Sequence, residues 1–138
     1  MRIKLPVLIA FIALLLAAAP IRAHHSFAAE YDGTKQVNLR GKVSKIEWIN
    51  PHAWIHLDVK AADGKMVNWA IELGPPNALI KRGWNKKSVP VGVELLVEGY
   101  RSKDGEMRVN GRDITFPDGT KLFAGSSGTG TPDEVPAK

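Results

Sequence analysis

The chain has 138 residues, 44% apolar and 24% charged, with a formal charge of +5; this is the balance of one globular domain rather than of a disordered or fibrous chain. It contains no cysteine, which excludes disulfides, thiolate metal sites and a lipid-carrying cysteine.

The first 23 residues carry a basic start (Arg2, Lys4), an apolar run from Leu5 to Ala19, and then Pro20-Ile21-Arg22-Ala23. A run of 15 residues falls short of the ~20 needed to span a bilayer as a helix. The pattern is that of a secretory signal peptide cut after Ala23, because Pro20 disfavours a cut just before itself. The expectation is therefore export to the periplasm or beyond, with no stable membrane anchor after cleavage. Loss of Arg2, Lys4 and Arg22 takes the charge of the remaining 115 residues from +5 to +2. A nearly neutral domain lacks the concentrated basic surface that nucleic acid requires, so no nucleic-acid partner is expected.

Residues 24–35 read as an N-terminal leader and 36–124 as a β domain. "QVNLRGKVSKIEWIN" (36–50) alternates through Val37, Leu39, Gly41 and Val43, then slips phase to Ile46 and Trp48, as a bulged or bent strand does. "AWIHLDVKA" places Ile55, Leu57 and Val59 on one face and Trp54, His56, Asp58 and Lys60 on the other. "ADGK" (62–65) is a hairpin turn, for which a two-residue Asp-Gly connection with positive φ is expected. "MVNWAIEL" returns with Val67, Trp69, Ile71 and Leu73 inward.

"GPPNALIKRGW" predicts a helix of about two turns, led in by Pro75 and Pro76, capped by Asn77 and ended at Gly83. "VGVELLVEGYRS", a turn at "SKDGE", "MRVNGRDITF" and the turn with closing strand "PDGTKLF" complete the domain. The segment from Gly125 to Lys138 is small, polar and rich in Gly and Pro, and reads as a flexible tail. Three strands, a helix and two or three more strands is the order of the OB-fold, a small antiparallel barrel with a long bent first strand.

The segments "AHHSFAAEYD", "VSKIEWINPHAWIHLDV", "VNWAIELGPPNALIKRGW", "VEGYRSKDG" and "PDGTKLFAGSS" resemble a bacterial family of exported proteins, the domain of unknown function numbered 6152. The resemblance covers nearly the whole chain after the signal and implies no assigned activity. The elements it carries over are His24 with His25, the Asn50-Pro51-His52 turn, and Gly74-Pro75 with Asn77.

All four histidines fall in two clusters, His24 with His25 and His52 with His56. Four strand residues separate the latter pair by about 13 Å, too far for one ion, and His52 is the better candidate because it lies in the turn between the first two strands. Cleavage after Ala23 would give His24 a free amine of pKa about 7.7–8.0 beside its own imidazole. Amine and imidazole chelate, and a further imidazole from His25 or His52 completes a nitrogen set suited to copper. The local arrangement resembles the histidine brace of copper-dependent polysaccharide monooxygenases and of some periplasmic copper carriers. Glu30, Tyr31 and Asp32 are further donors within reach.

Trp54 and His56 form a candidate ligand face, Trp69 reads as core, and Trp48 and Trp84 as half-buried. "KRGWNKK" (81–87) reads as a solvated basic helix end. Gly-x-Ser-x-Gly, a zinc-protease helix and a phosphate loop are all missing, and Glu47, Glu72, Glu94 and Glu98 alternate as outward strand positions. The leading expectation is a non-enzymatic binding module for a small ligand or metal ion, with copper on His24, His25 and His52. A copper oxidoreductase using the same ligands, or a metal-free structural or partner-binding domain of the cell envelope, are the alternatives.

Overall fold

The apolar alternation of the sequence resolves into six strands and two short helical segments in a computed structural model that describes residues 27–125. The signal peptide, His24, His25 and the tail beyond Gly125 lie outside these residues. In chain order the elements are α1 (Phe27–Glu30), β1 (Tyr31–Glu47), β2 (Trp54–Lys60), β3 (Met66–Glu72), α2 (Pro76–Lys81), β4 (Glu94–Ser102), β5 (Arg108–Thr115) and β6 (Lys121–Phe123). The strands pair in the order β3-β2-β1-β4-β5-β6, all antiparallel, and a parallel pairing of β3 with β5 returns the sheet on itself. The pairings β1–β2–β3–β5–β4–β1 thus form a closed ring. The mainly antiparallel β class and the helix between the third and fourth strands agree with the sequence reading.

The long first strand can serve both arms of the sheet because it bends. Its register with β2 jumps between Val43↔Leu57 and Lys45↔His56, leaving Ser44 as an unpaired extra residue, which is the physical origin of the phase slip from Val43 to Ile46. Gly41 permits the close crossing there, since a Cβ at that position would lie 2.4 Å from the Asp58 carbonyl oxygen. Val43, Ile55, Leu57, Ile71, Leu73, Leu95, Val97, Val109 and Ile114 fill the core, each stabilising the fold by roughly 1.5–3 kcal/mol through burial.

The segment after β3 closes this core. Leu79 of α2 and Trp84 are buried, and the indole N–H of Trp84 donates to the Phe123 carbonyl at 2.9 Å. Trp84 is therefore core rather than half-buried, because β6 supplies the acceptor that its buried N–H requires. The helix is shorter than two full turns, and Pro75 rather than Asn77 is its N-cap. Pro76 takes the first helical positions, where a missing N–H is tolerated, so no side-chain cap forms. Gly83 follows with φ 94°, ending the helix as expected.

Three Asp-Gly turns share one device. Asp63, Asp104 and Asp118 accept the backbone N–H two residues on, from Lys65, Glu106 and Thr120, while Gly64, Gly105 and Gly119 take positive φ. The first differs from the expected two-residue turn: the Ala61 N–H donates to the Lys65 carbonyl, giving a three-residue loop with positive φ at Gly64 alone. The Asp63 side chain favours that form by bonding its own turn.

Candidate functional site

Strand parity places the site on the sheet face opposite the core. Ile55, Ile71 and Val109 are in register and buried inward, so the adjacent row of Trp54, Glu72, Asn110 and Tyr100 faces the other way. That row would be solvated in a bare sheet, but the chain entering β1 covers part of it. Phe27 stacks on Tyr31 with ring centroids 5.9 Å apart and meets Tyr100 edge-on at 5.3 Å. The hairpin between β4 and β5 holds the segment from the other side, with the Lys103 backbone N–H donating to the Glu30 carbonyl at 2.9 Å and its Nζ to the Ala28 carbonyl at 2.5 Å.

Beneath this cover Glu72 is only 6% exposed. A buried carboxylate is tolerated when its oxygens are occupied, and both are. The Tyr31 hydroxyl donates to Oε2, and Nδ1 of His52 meets Oε1. Tyr31 is itself buried, and burial, followed by the hydrogen bond to Glu72 and its charge, raises the phenol well above its ordinary range. Arg108 lies 5.7 Å from the Tyr31 ring and pairs with Asp104 at 2.6 Å and Glu30 at 3.9 Å.

His52 reaches Glu72 because the end of the β1–β2 loop is tied into the sheet. It follows a cis Asn50–Pro51 bond. The Ala53 N–H donates to the Gly74 carbonyl and the Leu73 N–H to the Ala53 carbonyl, extending the β2–β3 pairing by a step. With Trp54 opposite Glu72, His52 becomes the diagonal neighbour of Glu72 on the same face. Its side chain remains 31% exposed, and its other ring nitrogen, Nε2, has no partner among the described residues.

His56 belongs elsewhere. Its Nε2 is buried and lies 3.4 Å from Oε1 of Glu47 without forming a hydrogen bond. Contact with Lys45 holds the Glu47 carboxyl below the ordinary range. The two histidines of the second cluster therefore face different carboxylates, as their strand spacing implied. Trp54 is half-buried, in register between Glu47 and Glu72. Of the other proposed donors, Asp32 is engaged with the N–H and hydroxyl of Thr34, and Tyr31 with Glu72. His24 and His25 lie outside the described residues, among which no three metal-binding side chains are gathered about one point.

The site brings together Tyr31, His52 and Glu72, residues 41 and 20 positions apart, and continues to Arg108. A family model matches residues 12–111, a span that takes in all four. The chain belongs to the family of unknown function DUF6152. No curated protein and no solved structure matches it. The match thus identifies the family without supplying a chemistry, and the site must be read from its own residues.

Glu72 and Arg108 were the residues that sequence reading missed. Glu72 sits at an outward strand position, and nothing local marks it as covered by a segment four decades of residues away. Among the described residues no helix is long and apolar enough to cross a membrane.

Proposed function

We propose that this protein is an exported, OB-like β-barrel module that binds copper through the amine and imidazole of a mature N-terminal His24 together with His52, with His25 in support. The barrel reading is supported by the bulged first strand shared between β2 and β4, the helix between β3 and β4, and the parallel β3–β5 contact. His52 lies in the loop between the first two strands and Arg108 follows the loop between the fourth and fifth, the loops with which such barrels commonly hold ligands.

The observation that carries the metal reading is the orientation of His52. A histidine whose Nδ1 is held by a carboxylate offers Nε2 as a ligand, and this carboxylate–histidine pairing recurs behind metal-bound imidazoles. The same carboxylate is bonded to Tyr31, which carries Phe27 on its ring. His24 stands three positions before Phe27, so covalent reach keeps its backbone within about 11 Å of Phe27. The segment that begins at Phe27 is thus fastened to the corner that holds His52.

Binding without turnover is the favoured activity, since a small set of nitrogen donors accounts for it. Copper(II) titration of protein whose intact mass begins at His24 should give a Kd below micromolar, weakened by roughly tenfold or more in His24→Ala and in His52→Ala. An unchanged affinity in His24→Ala, or a mature chain beginning elsewhere, would remove the reading. Oxygen consumption with a reductant present would instead make the protein a copper oxidoreductase.

A further inference from the structure

We propose that Glu72, braced by Tyr31, is the positioning residue of this site: it holds the His52 ring as the tautomer protonated on Nδ1 and so commits Nε2 to the bound ion. The tautomer stands on contacts among residues of the folded domain, whereas its consequence for metal binding rests on the copper reading above.

A neutral imidazole has one N–H, and an ionised carboxylate can only accept. The ring nitrogen facing Glu72 therefore carries the proton, and Nε2 is left with its lone pair directed away from the carboxylate. Rotation of the carboxylate is prevented from the far side, because its second oxygen receives the hydroxyl of the buried Tyr31. Tyr31 in turn packs against Phe27 and Arg108. Each member of the row is thus fixed by the next, from the N-terminal segment to the imidazole.

The arrangement also says which groups are not ligands. Glu72 has both oxygens engaged and is closed off from solvent, so it orients without coordinating. His56 presents the opposite case: the nitrogen nearest its carboxylate is Nε2, and that atom is buried. A shared ion could reach His56 only through Nδ1. Local bracing, as well as spacing, therefore separates the ligand His52 from its neighbour.

The test uses the processed, metal-free protein labelled with nitrogen-15. Long-range proton–nitrogen correlation at pH 8 should show His52 protonated on Nδ1 and unprotonated on Nε2. Observation of the Nε2–H form, a rapid mixture of tautomers, or a doubly protonated ring would overturn the proposal. In Glu72→Ala the ring should lose its single tautomer, and in Glu72→Gln, whose amide oxygen still accepts, it should regain it. The conservative variant keeps the test decisive if the alanine variant fails to fold. Copper(II) titration then reads the second half: Glu72→Ala should weaken binding roughly 10–100-fold, with recovery in Glu72→Gln. Copper binding unaltered in Glu72→Ala would overturn the positioning role. The expected tautomer in a protein that binds no copper would overturn the copper reading and leave the orientation of His52 standing.

Discussion

Replacing Tyr31 with phenylalanine removes one oxygen and keeps the ring against Phe27 and Arg108, which isolates the contact to Glu72. A hydrogen bond to a charged acceptor contributes about 1.5–3 kcal/mol, and the buried Glu72 would be left with one occupied oxygen. The expected loss is about 2 kcal/mol, seen as a lower urea midpoint at pH 7 with unchanged slope and, for a domain of this size, a fall in Tm on the order of 10 °C. Alkaline pH provides a second reading. The Tyr31 phenol holds its proton more tightly in the folded chain than in the unfolded one, where its value is near 10.0. Its contribution is therefore complete below that value and declines as pH rises past it, because the unfolded state then releases the proton first. The difference between wild type and Tyr31→Phe should be constant from pH 7 to 9 and shrink at higher pH. A difference below about 0.5 kcal/mol at pH 7, or one that grows in alkali, would refute the proposed coupling of Tyr31 to Glu72.

Gly41→Ala should cost about 1–3 kcal/mol, measured by urea unfolding, because its Cβ would meet the Asp58 carbonyl where the first two strands cross. At acid pH, Asp104 should contribute a separate limb. The Ser102 hydroxyl and the Glu106 N–H hold its carboxyl below the ordinary 3.8, so its stabilising effect is complete above that value and lost as pH falls through the lower, folded one. Asp104→Asn should accordingly flatten the fall in stability below pH 4, and an unchanged acid profile would contradict that assignment.

The strands were legible because each carries its own evidence. Ile55, Leu57 and Val59 declare a period of two over seven residues, and the slip between Val43 and Ile46 announces the bulge at Ser44. The helix could be placed from Pro75, Pro76 and Gly83, although its cap could not, since Asn77 has the side chain for capping but stands two positions too far into the turn. Trp84 and Glu72 were misjudged for a common reason. Their burial depends on Phe123 and Tyr31, which approach from distant parts of the chain. Parity tells which way a strand residue points and is silent about what later covers it. His52 and His56 were separable by distance alone, but the carboxylates beside them, Glu72 and Glu47, required the register.

The energetic character of Glu72 bears on why it is there. Its neighbours in the row, Trp54 and Tyr100, show that this outward face can be covered by aromatic side chains, and an apolar residue at position 72 would avoid the desolvation of a carboxylate. Once the charge is present, however, it requires both of its partners, because removing either leaves a buried oxygen poorly compensated. The sheet itself needs none of this: its core lies on the other face and its ring closes through backbone pairings of β3 with β5. Glu72 thus departs from the local pattern in which outward strand positions are solvated, and such departures concentrate where a side chain must be held in one geometry. What it holds here is one ring nitrogen of His52, beside the segment that leads to the N-terminus. The stability of the Tyr31–Glu72 contact and the direction in which His52 presents its free nitrogen are consequently two readings of one arrangement.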